Sequence, residues 1–381
     1  MFKSELFGLF GLNKNRFANP VFRNLTTAGF RCGVIFLCLF AVVMILPTEV
    51  LAAPRGITYS LALSRAISRD SVVAPLEREI RQANAQARHL MDDYLAVVNS
   101  DRDLADEIYG QRLRALAERD RLQRDLDRHS LNIELTLRGY LADIAESEAN
   151  IVILEANLDF QKQMLEQTML RHSLGMASDM DLREAEQQLG QTALNLEMLG
   201  LSLENLRQQL NRLIHQPITA NVQVMYEKEE FGPLPELTDR EMQRLFASDH
   251  NYSYWREEVE YRRHEWQRQL DAPDVVRDML RLEHRLSTLE RDMARRQAEL
   301  NVRNTLTQWD YLLEEELVIQ SDIYLARANL EDMQRRYEAG LVIQMHVEGT
   351  KLSLMAQEAR MVRHEYDFWI TRLRIDRPYI R

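Results

Sequence analysis

Histidine, cysteine and carboxylate are the residues from which a catalytic or metal site would be built, and here their spacing does not converge on one. The nine histidines are scattered along the chain. His264-Glu265 opens like the first turn of a zinc helix, but Arg268 stands where the second histidine would be. No H-E-x-x-H, G-x-S-x-G, Gly-rich phosphate loop or Cys/His metal spacing occurs. Both cysteines, Cys32 and Cys38, lie in an N-terminal apolar run, so the rest of the chain has no disulfide or thiolate chemistry. The Glu314-Glu315-Glu316 run reads as a solvated helix face, with carboxylates lining a cation-favouring lumen as the alternative. His172 and His346 flank two glycine turns; each reads as a surface histidine, with titration or metal binding as the alternative. The residues point to a non-enzyme without cofactor or metal.

Those turns sit in a duplicated element. Residues 171–214 return, altered, at 336–376, and their glycines, Gly175 and Gly340, are 165 positions apart. At the same offset residues 133–141 lie over 298–306, with Glu134/Glu299, Leu135/Leu300, Arg138/Arg303 and Leu141/Leu306 identical. A register kept that far is duplication of a large unit. Upstream of the first turn Leu137, Ile144, Ile151, Leu158 and Leu165 recur every seven, with Ile133, Tyr140 and Leu154 on the neighbouring row. Downstream, Leu182, Ala185, Leu189, Thr192, Leu196 and Leu199 alternate steps of three and four, and Leu203, Leu206, Leu210 and Leu213 continue them. That is a coiled-coil seam. Between the two seams Gly175 takes the left-handed end of one helix, Ser178 or Asp179 caps the next, and Asp181 adds a carboxylate to its first turn. The chain goes up, turns over a short tip and comes back.

This pattern resembles the TolC family of outer-membrane efflux and secretion channels. The residues that carry the resemblance are Arg336-Tyr337-Glu338-Ala339-Gly340-Leu341-Val342, and more loosely Arg171-His172-Ser173-Leu174-Gly175-Met176, at the tips of a tandem repeat. The resemblance covers most of the chain after about residue 57. It implies an all-α fold of two tandem coiled-coil hairpin repeats and a non-enzymatic conduit for efflux or type I secretion. It also implies a homotrimeric tube whose tips dock on a periplasmic adaptor and an inner-membrane pump. The tip residues so assigned are Leu174, Gly175, Met176, Ala177, Ser178, Gly340, Leu341, Val342 and Ile343. Small or apolar side chains at an exposed turn point to docking. Packing across the hairpin as a hydrophobic cap contact is the other reading, and the two are compatible.

Residues 1–53 read as a secretory signal. Lys3, Lys14, Arg16, Arg23 and Arg31 precede the apolar run 32–46, and Val50-Leu51-Ala52-Ala53 offers a cleavage site. An uncleaved signal anchor is the alternative, and both export the remainder of the chain, to the periplasm or the outer membrane. This leader carries five basic and two acidic residues, so its removal takes the formal −11 to about −14. An acidic exported chain does not fit nucleic-acid binding. Short helices are expected at residues 57–69 and 237–248, capped by Thr58 or Ser60 and by Thr238, and each begins one repeat. The first repeat spans 54–215, a Pro/Gly-bearing linker 216–236 with a short strand at 222–226, and the second repeat 237–381.

The family inserts two barrel strands between the first and second long helices of each repeat. A barrel strand needs about ten residues of alternating character. Here the corresponding stretches, 97–111 and 270–274, read as plain helix breaks, with Asn99-Ser100-Asp101 a turn and cap and Pro273 a first helical residue. The barrel is therefore expected to be missing, and a rigid exported coiled-coil spacer stands as the alternative function.

Overall fold

A computed structural model describes residues 55–225, 232, 234, 238–269 and 271–377. The expected leader lies outside the described residues. All but Arg55 of the latter belong to one compact unit, Gly56–Arg381. Its elements run in two matched series. The first is β1 (Arg55–Thr58), α1 (Tyr59–Ser68), α2 (Val73–Val97), α3 (Arg102–Ser173) and α4 (Asp179–Leu213). The second is β2 (Val222–Met225), α5 (Asp239–Ala247), α6 (His250–Arg268), α7 (Asp274–Glu338) and α8 (Gln344–Asp376). The helices are 10, 25, 72 and 35 residues long in the first series and 9, 19, 65 and 33 in the second. Among the described residues the fold is all-α apart from one two-stranded sheet, β1 on β2.

Capping explains where several of these helices start. Thr58 Oγ1 accepts the Leu61 N–H, and Asp101 Oδ1 accepts that of Leu104 at 3.0 Å. Thr238 and Glu241 form a capping box, each side chain accepting the other's N–H. Thr58 is the cap, as one of the two expected alternatives; Ile57 departs from the expected helix at 57–69, being extended in β1, which pairs with β2. That pairing satisfies main-chain groups which the first turn of a helix would leave free. Pro273 is the N-cap of α7 and not its first helical residue.

The long helices lie side by side in a wall. Near the tips the order of contact is α4, α3, α8, α7; toward the other end it is α2, α3, α6, α7. α8 runs antiparallel to α3, since Arg363 meets Asp143 while the main chain of Trp369 meets Arg138. Both glycine turns therefore lie at one end of the wall. From Asp143 to the end of α3 and from Arg363 back to the start of α8 are about 30 and 19 residues, so the first tip reaches roughly 15 Å further.

Every seam position expected on α4 is covered, with Thr192, Leu203 and Leu210 buried and the others half-buried. Burial is deepest where the two repeats meet. There Leu131, Leu137, Ala142, Ile214 and Trp369 are at most 4% exposed. Arg138 crosses this region. It donates to Glu134 at 2.9 Å, to the Trp369 carbonyl at 2.5 Å and to the Tyr59 hydroxyl at 3.1 Å, with its guanidinium 4.1 Å from the Trp369 ring centre. Arg377 donates to the other oxygen of Glu134 at 2.9 Å. Burial raises the Tyr59 phenol well above its ordinary pKa, opposed by Arg138, so it stays a neutral donor to Glu134.

Candidate functional site

The two tips share one main-chain design. In the first, the N–H of Gly175 reaches the His172 carbonyl at 2.9 Å and that of Met176 reaches Arg171 at 2.7 Å. In the second, Gly340 reaches Tyr337 at 2.9 Å and Leu341 reaches Arg336 at 2.8 Å. These are Schellman ends, which bring two otherwise free carbonyls of the last turn into hydrogen bonds. Both glycines have the positive φ that this needs, 71° and 70°. A Cβ at either would meet no neighbour, so the demand for glycine is one of backbone angle alone. Arg336 and Tyr337 of the sequence motif thus serve the turn through their carbonyls.

The helices that leave the tips start differently. Ser178 Oγ accepts the Asp181 N–H at 3.2 Å, while the Asp181 carboxylate accepts the Ser178 N–H at 2.7 Å and O–H at 2.9 Å. The Ser178 main-chain and hydroxyl donors hold the Asp181 carboxyl below its ordinary pKa. His172 Nε2 and Asp179 Oδ1, 2.7 Å apart, join the two sides of this tip. The ring was expected to be a surface histidine, and its clasp with Asp179 was not legible from the seven-residue separation. At the second tip the N-cap is Ile343, which has no polar side chain to offer.

The apolar tip residues divide. Leu174, Met176, Leu341 and Ile343 are 65%, 66%, 75% and 53% exposed. Ala177 and Val342 are half-buried, and Met345, outside the expected set, is buried. The residues following the glycines, Met176 and Leu341, are those that would make a hydrophobic cap contact, and they face water instead. Met180, also not in the expected set, is 73% exposed.

Above the tips, side chains latch α8 to both neighbours. Arg363 reaches Asp143 at 2.8 Å and Glu146 at 3.1 Å on α3, and Arg360 reaches Asp322 at 3.3 Å on α7. A cavity of about 370 Å³ lies between the three helices. Glu315 lines it, with an oxygen 3.6 Å from Nδ1 of the buried His364. Glu314 is exposed, and Glu316 accepts from Gln320 at 2.9 Å. The three consecutive glutamates therefore point different ways and form no single ring-lining face. Among the described residues no cluster of three or more metal-ligating side chains occurs, and no helix is long and apolar enough to cross a membrane.

No family model matches the sequence, and no curated protein matches it. Solved structures do match. VceC, an outer membrane protein of Vibrio cholerae, superposes with a TM-score of 0.59 at 13% identity over 83% of this chain and 95% of its own. The CmeC outer membrane channel of Campylobacter jejuni gives 0.61 at 11% identity over 84% and 85%. The open-state MtrE outer membrane channel of Neisseria gonorrhoeae gives 0.54 at 11% over 84% and 88%. At such identity the likeness is one of fold. Between α2 and α3, and between α6 and α7, the described residues hold a turn and no strand. The chain has the helical fold of the TolC-family outer-membrane channels, without their barrel strands among the residues described.

Proposed function

We propose that this chain is the protomer of an exported, non-enzymatic conduit for efflux or secretion. Its hairpin tips dock on the helical tips of a periplasmic adaptor that is coupled to an inner-membrane pump. The observation that carries this reading is the pair of matched glycine turns at one end of a long helical wall, each presenting apolar side chains to water. At ~1.5 Å per residue α3 extends about 100 Å, more than a compact domain needs and enough to line a periplasmic passage. Leu174, Met176, Leu341 and Ile343 make the apolar contact, and Gly175 and Gly340 set the turn. Ala177 and Val342 pack the tip from within, while Ser178 starts the returning helix. Three copies close the tube, as the family resemblance implies.

The absence of barrel strands among the described residues favours the second reading, a spacer that keeps the helices and has lost transport. Electron microscopy of the purified exported chain separates the two. Hollow rings with a lumen along the helices support the conduit. Solid rods or elongated monomers overturn it and leave the spacer. Docking is measured with the adaptor that the same cell exports: Leu341→Asp and Met176→Asp should each weaken its binding at least tenfold while the helix content stays unchanged.

A further inference from the structure

Beyond Cys38 every sulfur atom in this chain belongs to a methionine. Two of these methionines sit on the first tip. Met176, the residue after Gly175, is 66% exposed, and Met180, the second residue of α4, is 73% exposed. At the repeat offset of 165 their counterparts are Leu341 and Met345. Leu341 has no sulfur, and Met345 is only 8% exposed. The tips share a backbone design but not a reactivity: at these paired positions the first offers two open thioethers and the second none.

The part these side chains play in the turn decides what their modification would do. The Schellman bonds run between main-chain groups, from the N–H of Gly175 and Met176 to the carbonyls of His172 and Arg171. Ser178 and Asp181 fix the start of α4, and His172 and Asp179 join the two flanks. Neither thioether enters any of these bonds. A sulfoxide at Met176 or Met180 therefore leaves the turn standing and changes only the surface: a flexible apolar side chain becomes a polar one. At Met345 the same change would set a polar group among buried side chains, which is unfavourable.

We propose that Met176 and Met180 are an oxidation site, where a peroxide turns the first tip from apolar to polar and so weakens its docking, while the second tip keeps its apolar contacts. The consequence for docking rests on the reading given above, whereas the chemistry at the two sulfurs does not. A sulfur lone pair attacks one oxygen of hydrogen peroxide; the S–O bond forms as the O–O bond breaks. The sulfur is oxidised by two electrons, the proton of the transferred oxygen passes to the other oxygen, and that oxygen leaves as water. A methionine sulfoxide reductase reverses the step, its dithiol becoming a disulfide while the oxygen departs as water.

The test begins with the full chain treated with hydrogen peroxide and digested for peptide masses. Met176 and Met180 should each gain an oxygen at least ~tenfold faster than Met345, because the oxidant must reach the sulfur. Equal rates would overturn the site. Binding to the periplasmic adaptor exported by the same cell is then measured before peroxide, after it and after reductase treatment. Oxidation should weaken binding about tenfold, the factor that burial of a methionine side chain is worth, and the reductase should restore it. Met169, Met198, Met225, Met279 and Met293 are also more than half exposed. Met176→Leu with Met180→Leu isolates the tip from them: this variant should keep its helix content and bind equally well before and after peroxide. A loss in the variant as large as in the natural chain puts the effect elsewhere and sinks the proposal, as does unchanged binding by chain oxidised at both sulfurs. A chain that fails to bind the adaptor even before oxidation overturns the docking reading and the consequence drawn from it, while the peptide masses still decide the site.

Discussion

Glu134 and Arg138 have identical sequence counterparts in Glu299 and Arg303, and the duplicated pair has had two fates. The first is buried, its side chains 5% and 10% exposed. The second makes the same i,i+4 bond at 2.6 Å with side chains 34% and 63% exposed. Arg138→Ala leaves Glu134 buried beside Tyr59 with only Arg377 as a cationic partner. It should cost about 3–5 kcal/mol. Arg303→Ala frees two solvated groups and should cost no more than ~0.5 kcal/mol. Urea midpoints of the two variants check this contrast, and equal losses would contradict it. Gly175→Ala or Gly340→Ala forces a Cβ into the left-handed region and should cost about 1–2 kcal/mol, read in the same way.

At the scale of the element, the tips are alike where α3 and α7 end and unlike where α4 and α8 begin. The capping box of α4 depends on an ionised Asp181. Its carboxyl is held below the unfolded value, so the stabilisation is complete above that value, near pH 4, and is lost as the pH falls through the lower, folded one. The second tip has no such box. Amide exchange at the start of α4 should therefore speed up on acidification relative to the start of α8, and Asp181→Asn should abolish the difference. The tips were largely legible in the sequence, because a glycine that ends a helix and a serine or aspartate that starts the next leave a local signature. Which tip side chains point outward was not. Leu341, Val342 and Ile343 are consecutive and apolar, and only the position of the neighbouring helices leaves Val342 half-buried and the other two exposed.

For the whole molecule, the wall of helices has two unlike edges, and both carry exposed apolar side chains in the single chain, Leu282, Leu286 and Leu289 on α7 and Leu194, Met198 and Leu201 on α4. Such a protomer is expected to be associated at working concentration, with a mass by light scattering that is a multiple of the protomer's 44.8 kDa, less any cleaved leader. A monomer at micromolar concentration in detergent-free buffer would contradict the conduit. The latch of Arg363 on Asp143 and Glu146 ties the second hairpin to the first within one copy. These groups are more than a third exposed and screened by solvent. Arg363→Ala should therefore lower stability by no more than ~1 kcal/mol, seen as a small shift of the thermal midpoint.

The sequence by itself determined the helices, the two turns and the duplication, because each rests on local rules: heptad spacing, left-handed glycine, side-chain caps. It also foretold that 97–111 and 270–274 leave no room for barrel strands. Tertiary structure alone decided which of two apolar stripes on α4 is covered, since heptad spacing marks a face as sticky without saying what meets it. It decided that Glu134 and Arg138 are interior while Glu299 and Arg303 are not, because identical local sequence is buried only where another element lies over it. It placed Ile57 in a strand, since the partner, β2, lies more than 160 residues further along the chain.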